Sequence, residues 1–276
     1  MSVDANPDRQ SHQGRAVLFV PGDRPDRFSK AADSGADAII LDLEDAVPPM
    51  RKSEAREYVR QWRADGGVGI VRINGIGSPW IESDLHAILD GGPCGVMVPK
   101  AEPSPELAGL ADRLSSGSWL LPIIESARGV FEARAVCSMP GVVQLAFGNG
   151  DLSAELGIDH HDWDALAWAR STVVFASAEG GIAAPLDGVT TAISDEHALI
   201  RDSRRAKSFG FAGKLCIHPS QVPIVRSTFS PTPEAIAWAA KVLASASDGA
   251  ATEVDGEMVD KALVDRARRL LELHRD

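Results

Sequence analysis

Cysteine is scarce in this 276-residue chain, which has three, Cys94, Cys137 and Cys216. An odd number at wide spacing offers neither a disulfide framework nor paired zinc-ligand motifs, so the thiols are expected to be buried and reduced. No apolar run approaches the ~18 residues of a membrane span, and the polar stretch Met1 to Arg15 lacks the apolar segment of a secretory signal. These absences predict a cytoplasmic protein in which residues 1–15 form a flexible tail. Positive charge is also short. With 28 Lys+Arg against 39 Asp+Glu, the formal net charge is -11, a field that excludes general binding to nucleic acid or to an anionic membrane. Low-complexity segments are missing as well, and a composition of 44% hydrophobic and 24% charged residues is that of a globular protein.

What is present is an alternation of short β-rich runs with stretches of helical apolar spacing, the pattern of a parallel sheet built from βα units. Candidate strands are 16–20, 38–43, 69–73, 95–99, 119–124, 142–147, a short one near Leu186, and 214–217. Helical spacing is found over 25–34, 53–63, 106–114 and 195–209. Eight such repeats indicate an α/β fold of the TIM (β/α)8 barrel type over residues 16–229, with a doubly wound sheet as the competing architecture. Ser230-Pro-Thr-Pro233 then punctuates the chain. Helices are expected over 234–246 and 260–274, joined by a Gly/Asp-containing segment over 248–256. This 230–276 extension is either a packing and oligomerisation element or a C-terminal helical lid.

Several strands end in polar residues, and in a barrel these ends converge on the face where active sites form. Glu125 and Asp151 follow consecutive strands there. They can share one hard divalent cation, for which magnesium is the natural choice, or remain solvated loop acids. Arg72 lies within the apolar strand Ile70-Val-Arg-Ile-Asn74 and requires an anion: Glu44 or Asp45, a substrate carboxylate, or both. Asp42, Glu44 and Asp45 are too many like charges to be buried without cationic partners. Arg24, Arg27 and Lys30 surround a predicted helix start, which suits either a phosphate or a solvated helix face. His218 ends the last strand as a structural residue or a base. His160-His161 has no further metal-ligand spacing and is expected to be loop.

Taken together and in order, Leu18-Phe-Val-Pro-Gly-Asp-Arg-Pro-Asp-Arg-Phe28, Leu41-Asp-Leu-Glu-Asp-Ala-Val47, Val71-Arg-Ile-Asn74, Pro99-Lys100, Ile124-Glu-Ser-Ala-Arg-Gly129 and Cys216-Ile-His-Pro-Ser-Gln221 resemble the citrate lyase β-subunit-like family. That family belongs to the HpcH/HpaI aldolase/citrate lyase superfamily and includes malyl-CoA and citramalyl-CoA lyases. The resemblance implies a Mg2+-dependent barrel, with Mn2+ an alternative, that cleaves or forms a C–C bond between a short 2-keto acid and an acyl-CoA thioester. It implies Glu125 and Asp151 as metal ligands and Arg72 as the arginine beside the metal. Phe19, Arg24, Lys30 and Gly150 fall at substrate-contacting positions. Val254-Asp-Gly-Glu-Met-Val-Asp260 is similar to a C-terminal motif whose Asp reaches a neighbouring barrel. Asp260 is therefore the implied acid/base, supplied in trans within a homotrimer or hexamer. The sequence departs from many relatives at Gly150, where they carry an acid, and at Glu257, where they carry Lys, Gln or Ser. Two rival readings are a metal-dependent aldolase acting on free hydroxy-keto acids and a non-catalytic barrel that binds acyl-CoA or keto acid. Against the first, Leu43-Glu44-Asp45 stands where the aldolases resemble Gly-Glu-His.

Overall fold

A computed structural model describes residues 14–246, 253–254 and 256–275. Most of the predicted N-terminal tail, and part of the segment joining the last two helices, lie outside the described residues. The chain divides into two compact units, Met1–Thr228 and Phe229–Asp276.

In the first unit, eight strands close into a barrel in sequence order. They are β1 (Ala16–Pro21), β2 (Ala38–Asp42), β3 (Ile70–Arg72), β4 (Gly95–Val98), β5 (Trp119–Ile124), β6 (Gln144–Phe147), β7 (Ala183–Asp187) and β8 (Gly213–Cys216). Every neighbouring pair is parallel, and β8 closes on β1 with Val17 opposite Leu215. The competing doubly wound sheet is thereby excluded. Alternate residues point inward, and each strand sends an apolar side chain to the interior. Val17, Ile40, Ile70, Met97, Leu121, Ile123, Ala146, Leu186 and Leu215 pack there as one buried cluster, so the barrel is a filled core rather than a pore.

The outer helices of this unit are α1 (Phe28–Ala32), α2 (Lys52–Ala64), α3 (Ile81–Leu89), α4 (Pro105–Ala108), α5 (Ala127–Phe131), α6 (Ala133–Cys137), α7 (Asn149–Leu156), α8 (Ala167–Glu179), α9 (Glu196–Phe209) and α10 (Gln221–Phe229). In α2, Ala55, Val59 and Arg63 recur every fourth residue and form its buried stripe. Asp195 caps α9 by accepting the Ala198 N–H at 2.9 Å. Two predicted helices are shorter than expected. The 25–34 stretch opens as a single 3-10 turn over Pro25–Arg27 before α1. The 106–114 stretch ends as an α-helix at Gly109 and resumes as a 3-10 turn over Ala111–Arg113, because glycine is a poor helix former.

Between the sheet and its helices lies a fully buried ion triad. Asp187 accepts from Arg170 Nε at 2.9 Å and from Lys214 Nζ at 2.7 Å, and all three side chains are at most 2% exposed. The Arg170 guanidinium also stacks on the Trp163 ring, 3.7 Å from its centroid. Burial opposes the Asp187 charge, but the two cations outweigh it and hold its pKa below the usual carboxylate value.

The second unit holds α11 (Pro233–Ala246), a two-stranded hairpin of β9 (Glu253–Val254) and β10 (Glu257–Met258), and α12 (Lys261–Arg275). The hairpin turns at Gly256, whose φ of 89° is natural only for glycine. Ala239, Val242 and Ala267 form its small core, flanked by Trp238, Val254, Leu263 and Leu271.

Candidate active site

The alternation that fills the barrel with apolar side chains also places the polar ones. Phe19 stands two residues beyond Val17, Asp42 beyond Ile40, Arg72 beyond Ile70 and Glu125 beyond Ile123, so all four belong to the inward-facing series at the strands' C-terminal ends. Asp42 and Arg72 are direct partners in the β2–β3 register. Their side chains form a two-pronged ion pair, Nε to Oδ1 at 2.7 Å and Nη2 to Oδ2 at 2.6 Å. The Phe19 ring covers the guanidinium, 4.7 Å from centroid to Cζ, and Nη1 lies 3.0 Å from Glu44 Oε2. Burial works against the Arg72 charge, but the surrounding carboxylates raise its pKa above the ordinary arginine value. The anion for Arg72 is thus Asp42 together with Glu44. Asp45 is exposed and does not pair with it, which corrects part of the expectation from sequence.

Glu44 is held through its backbone. The Asp42 carboxylate accepts the N–H groups of Glu44 and Ala46 at 2.8 and 3.2 Å. Lys52 Nζ donates to the Leu43 and Glu44 carbonyls at 2.8 and 3.0 Å, and Asn74 Nδ2 donates to the Leu43 carbonyl at 2.9 Å. The Glu44 carboxyl is buried, with Oε2 in the ion pair to Arg72. Burial pushes its pKa up to about 7. Asp45 and Asp42 add to that rise, against the opposing pull of Arg72 and Lys100.

Lys100 links the remaining acids. Its φ of 48° is the one positive value at a non-glycine residue among the described residues, and it directs the Lys100 N–H to Glu125 Oε1 at 2.7 Å. The side chain turns to Asp151, with Nζ 2.7 Å from Oδ2, and lies 3.5 Å from Glu44 Oε1. Burial opposes the lysine charge, but these carboxylates raise its pKa overall. Glu125 is buried against Gly148, where a Cβ would run into its carboxylate. Burial, with Asp151 and Glu44 as like charges, pushes Glu125 up to about 7. Glu44, Glu125 and Asp151 are thus three carboxylates arranged around Lys100, two of which resist ionisation. Glu125 and Asp151 offer oxygen donors only, and a hard divalent cation, which takes such ligands, would favour the ionised form of Glu125, so this pair fits one.

The other predicted residues are placed as follows. Arg24 is engaged by Asp26 at 3.0 Å, while Lys30 is exposed on α1, a helix of only five residues. Gly150 lies in the first turn of α7 beside Asp151, with no atom within 4 Å of where its Cβ would be. Asp260, in the second unit, is exposed and caps α12 by accepting the Leu263 N–H at 2.8 Å. His218 hydrogen-bonds Ser220 at 2.8 Å within its own turn, as a structural residue would. Cys137 and Cys216 are buried, but Cys94 is only partly so. The sequence marks Asp42 as an acid in need of a cation and Lys100 as part of a strand-end motif, but it does not reveal Arg72 as the partner of Asp42, or Glu125 and Asp151 as those of Lys100.

The family model for HpcH/HpaI aldolase/citrate lyase matches residues 15–219. A citrate lyase subunit beta-like protein of Mycobacterium tuberculosis is 37% identical over 265 residues, covering 94% of this chain and 94% of that protein. A mitochondrial citramalyl-CoA lyase of Rattus norvegicus is 32% identical over 290 residues, covering 94% of this chain and 85% of its own length. The crystal structure of CitE from Mycobacterium tuberculosis, in complex with magnesium, acetoacetate and coenzyme A, superposes with a TM-score of 0.83. It is 34% identical and covers 97% of this chain and 100% of its own.

Proposed function

The chain belongs to the HpcH/HpaI aldolase/citrate lyase family, and from that premise we propose that it is a Mg2+-dependent CoA-ester lyase of the malyl-CoA or citramalyl-CoA type. It is an enzyme of the carbon-carbon lyase class, as its relatives are. In the proposed reaction a 3-hydroxyacyl-CoA is cleaved, or formed, through a retro-Claisen step that yields a short 2-keto acid and an acyl-CoA. The observation that carries this reading is the arrangement of Glu44, Glu125 and Asp151 around Lys100, beside the buried Arg72 guanidinium.

Glu125 and Asp151 would hold Mg2+, with Mn2+ an alternative of the same ligand taste. When bound, the ion supplies Lewis-acid polarisation of the keto-acid oxygens. Arg72 is positioned for the charge that develops on oxygen as the C–C bond breaks. Asp42 and Glu44 fix its guanidinium and Phe19 covers one face, so the cation is held in place before the reaction and needs no reorganisation. Lys100 holds Glu125 through its N–H and Asp151 through its ammonium. Phe19, Arg24 and Lys30 are the proposed contacts to CoA ester and keto acid, and Gly150 leaves room beside Asp151 for the substrate. The enolate carbon of the departing acyl-CoA must gain a proton. We assign that proton to Asp260 of a neighbouring subunit in a homotrimer or hexamer, a role supported by its exposure at the start of α12. Three free thiols fit a cytoplasmic setting.

The test is release of acetyl-CoA or propionyl-CoA from malyl-, citramalyl- and β-methylmalyl-CoA, with Mg2+ and with EDTA. Metal-dependent release from one of them supports the reading and names the keto acid. Cleavage of free hydroxy-keto acids with none of the thioesters would replace it by the aldolase reading.

A further inference from the structure

The segment between α7 and α8 carries Asp159-His160-His161, whose carboxylate oxygen and ring nitrogens all lie within 4.8 Å of one another. Among the described residues this is the only such gathering of three His, Cys, Asp or Glu side chains, and none of its members takes part in the site above. Its local geometry is organised rather than merely crowded. His160 Nε2 lies 3.1 Å from Thr191 Oγ1, on the segment that follows β7, while Nδ1 faces Asp159 Oδ1 at 3.8 Å. The contact of Nε2 with Thr191 leaves Nδ1 as the ring nitrogen turned toward the carboxylate. Imidazoles that bind metals are commonly held in this way, through the second ring nitrogen. The His161 ring lies against that of His160, centroids 3.9 Å apart and tilted by 40°, and the His161 backbone N–H donates to Asp159 Oδ1 at 2.9 Å. The segment is anchored: Trp163 is buried and donates Nε1 to Asp202 Oδ1 at 2.9 Å, and Arg205 pairs with Asp164.

We propose that Asp159, His160 and His161 bind one borderline transition-metal cation of the Zn2+ class, with water completing a four-coordinate shell. Two imidazole nitrogens and one carboxylate oxygen suit Zn2+, Cu2+ or Ni2+ and are poorly matched to Mg2+, which takes oxygen ligands. The chain therefore sorts two cations by ligand chemistry, oxygen donors at the barrel mouth and nitrogen donors at this loop. Because His160 also bonds Thr191, the ion fastens the segment after α7 to the segment after β7.

The test is calorimetric titration of Zn2+ into the tag-free protein in excess Mg2+, repeated with Co2+ to record its absorption bands. One Zn2+ per chain is expected for the wild type. His161 is exposed and His160 half-buried; near-UV circular dichroism verifies that His160→Ala/His161→Ala folds, and this variant is expected to lose at least a hundredfold in affinity. Thr191→Val, which removes only the partner of His160 Nε2, is expected to lose about 10–100-fold. Glu125→Gln is expected to bind Zn2+ as the wild type does. No Zn2+ uptake by the wild type in excess Mg2+, undiminished uptake by the double histidine variant, or loss of uptake in Glu125→Gln would each overturn the proposal.

Discussion

Asp42 does two jobs with one carboxylate: it fixes the Arg72 guanidinium and accepts the Glu44 and Ala46 N–H groups. Asp42→Asn keeps the shape but removes the charge opposite a buried arginine. It is expected to cost roughly 3–5 kcal/mol, read as a lower midpoint in urea unfolding. Glu44 and Glu125, lifted to about 7, give a pH dependence of opposite sign with and without metal. An acid whose folded pKa exceeds its ordinary 4.5 stabilises the metal-free fold below that ordinary value, and the stabilisation is lost as pH rises through about 7. The cation requires the ionised form, so Mg2+ affinity is expected to fall about tenfold or more from pH 8 to pH 6. Calorimetry at the two pH values checks this, and an affinity that does not change would exclude proton competition at these two acids. Asp42 was legible in principle, since it and Arg72 each stand two residues beyond an inward isoleucine on neighbouring strands. Past the end of β2 the alternation no longer decides between Glu44 and Asp45, and only Glu44 turns inward to Arg72.

Elements were legible where one periodicity runs uninterrupted. The eight strands show as short apolar runs, and α9 shows as a capped helix ending at Gly210. Reading failed where the chain changes helix type, at Pro25 and at Gly109. It also failed where a role belongs to the backbone, as with the Lys100 N–H, whose direction depends on a φ that no residue pattern announces. The junction of β6 and α7 illustrates what such local geometry controls. Gly148 packs directly on the Glu125 carboxylate, and Gly148→Ala is expected to displace it and lower Mg2+ affinity at least tenfold. The overpacking should cost about 1–3 kcal/mol of stability. A variant that binds Mg2+ normally would show that Glu125 does not need this close approach.

For the molecule as a whole, the barrel brings together acids and cations that lie far apart in sequence, and it does the same for Arg170, Asp187 and Lys214 behind the sheet. No local pattern reveals that triad, because its partners belong to α8, β7 and β8. The trans-acting role proposed for Asp260 would be a property of the assembly and is tested on it. Asp260→Ala and Glu125→Ala protomers, each inactive alone, are expected to regain partial activity when mixed under conditions of subunit exchange. Absence of recovery after demonstrated exchange would place the acid/base within the same subunit. The central claim, that Glu125 and its neighbours form a Mg2+-dependent lyase site, is tested most directly by one titration. Mg2+ is added to metal-stripped wild type and Glu125→Gln while acyl-CoA release from the best thioester substrate is followed. Saturable activation of the wild type from a negligible rate is expected, with Glu125→Gln at least a hundredfold less active at every concentration. Equal release without Mg2+, or wild-type activation of Glu125→Gln, would contradict it.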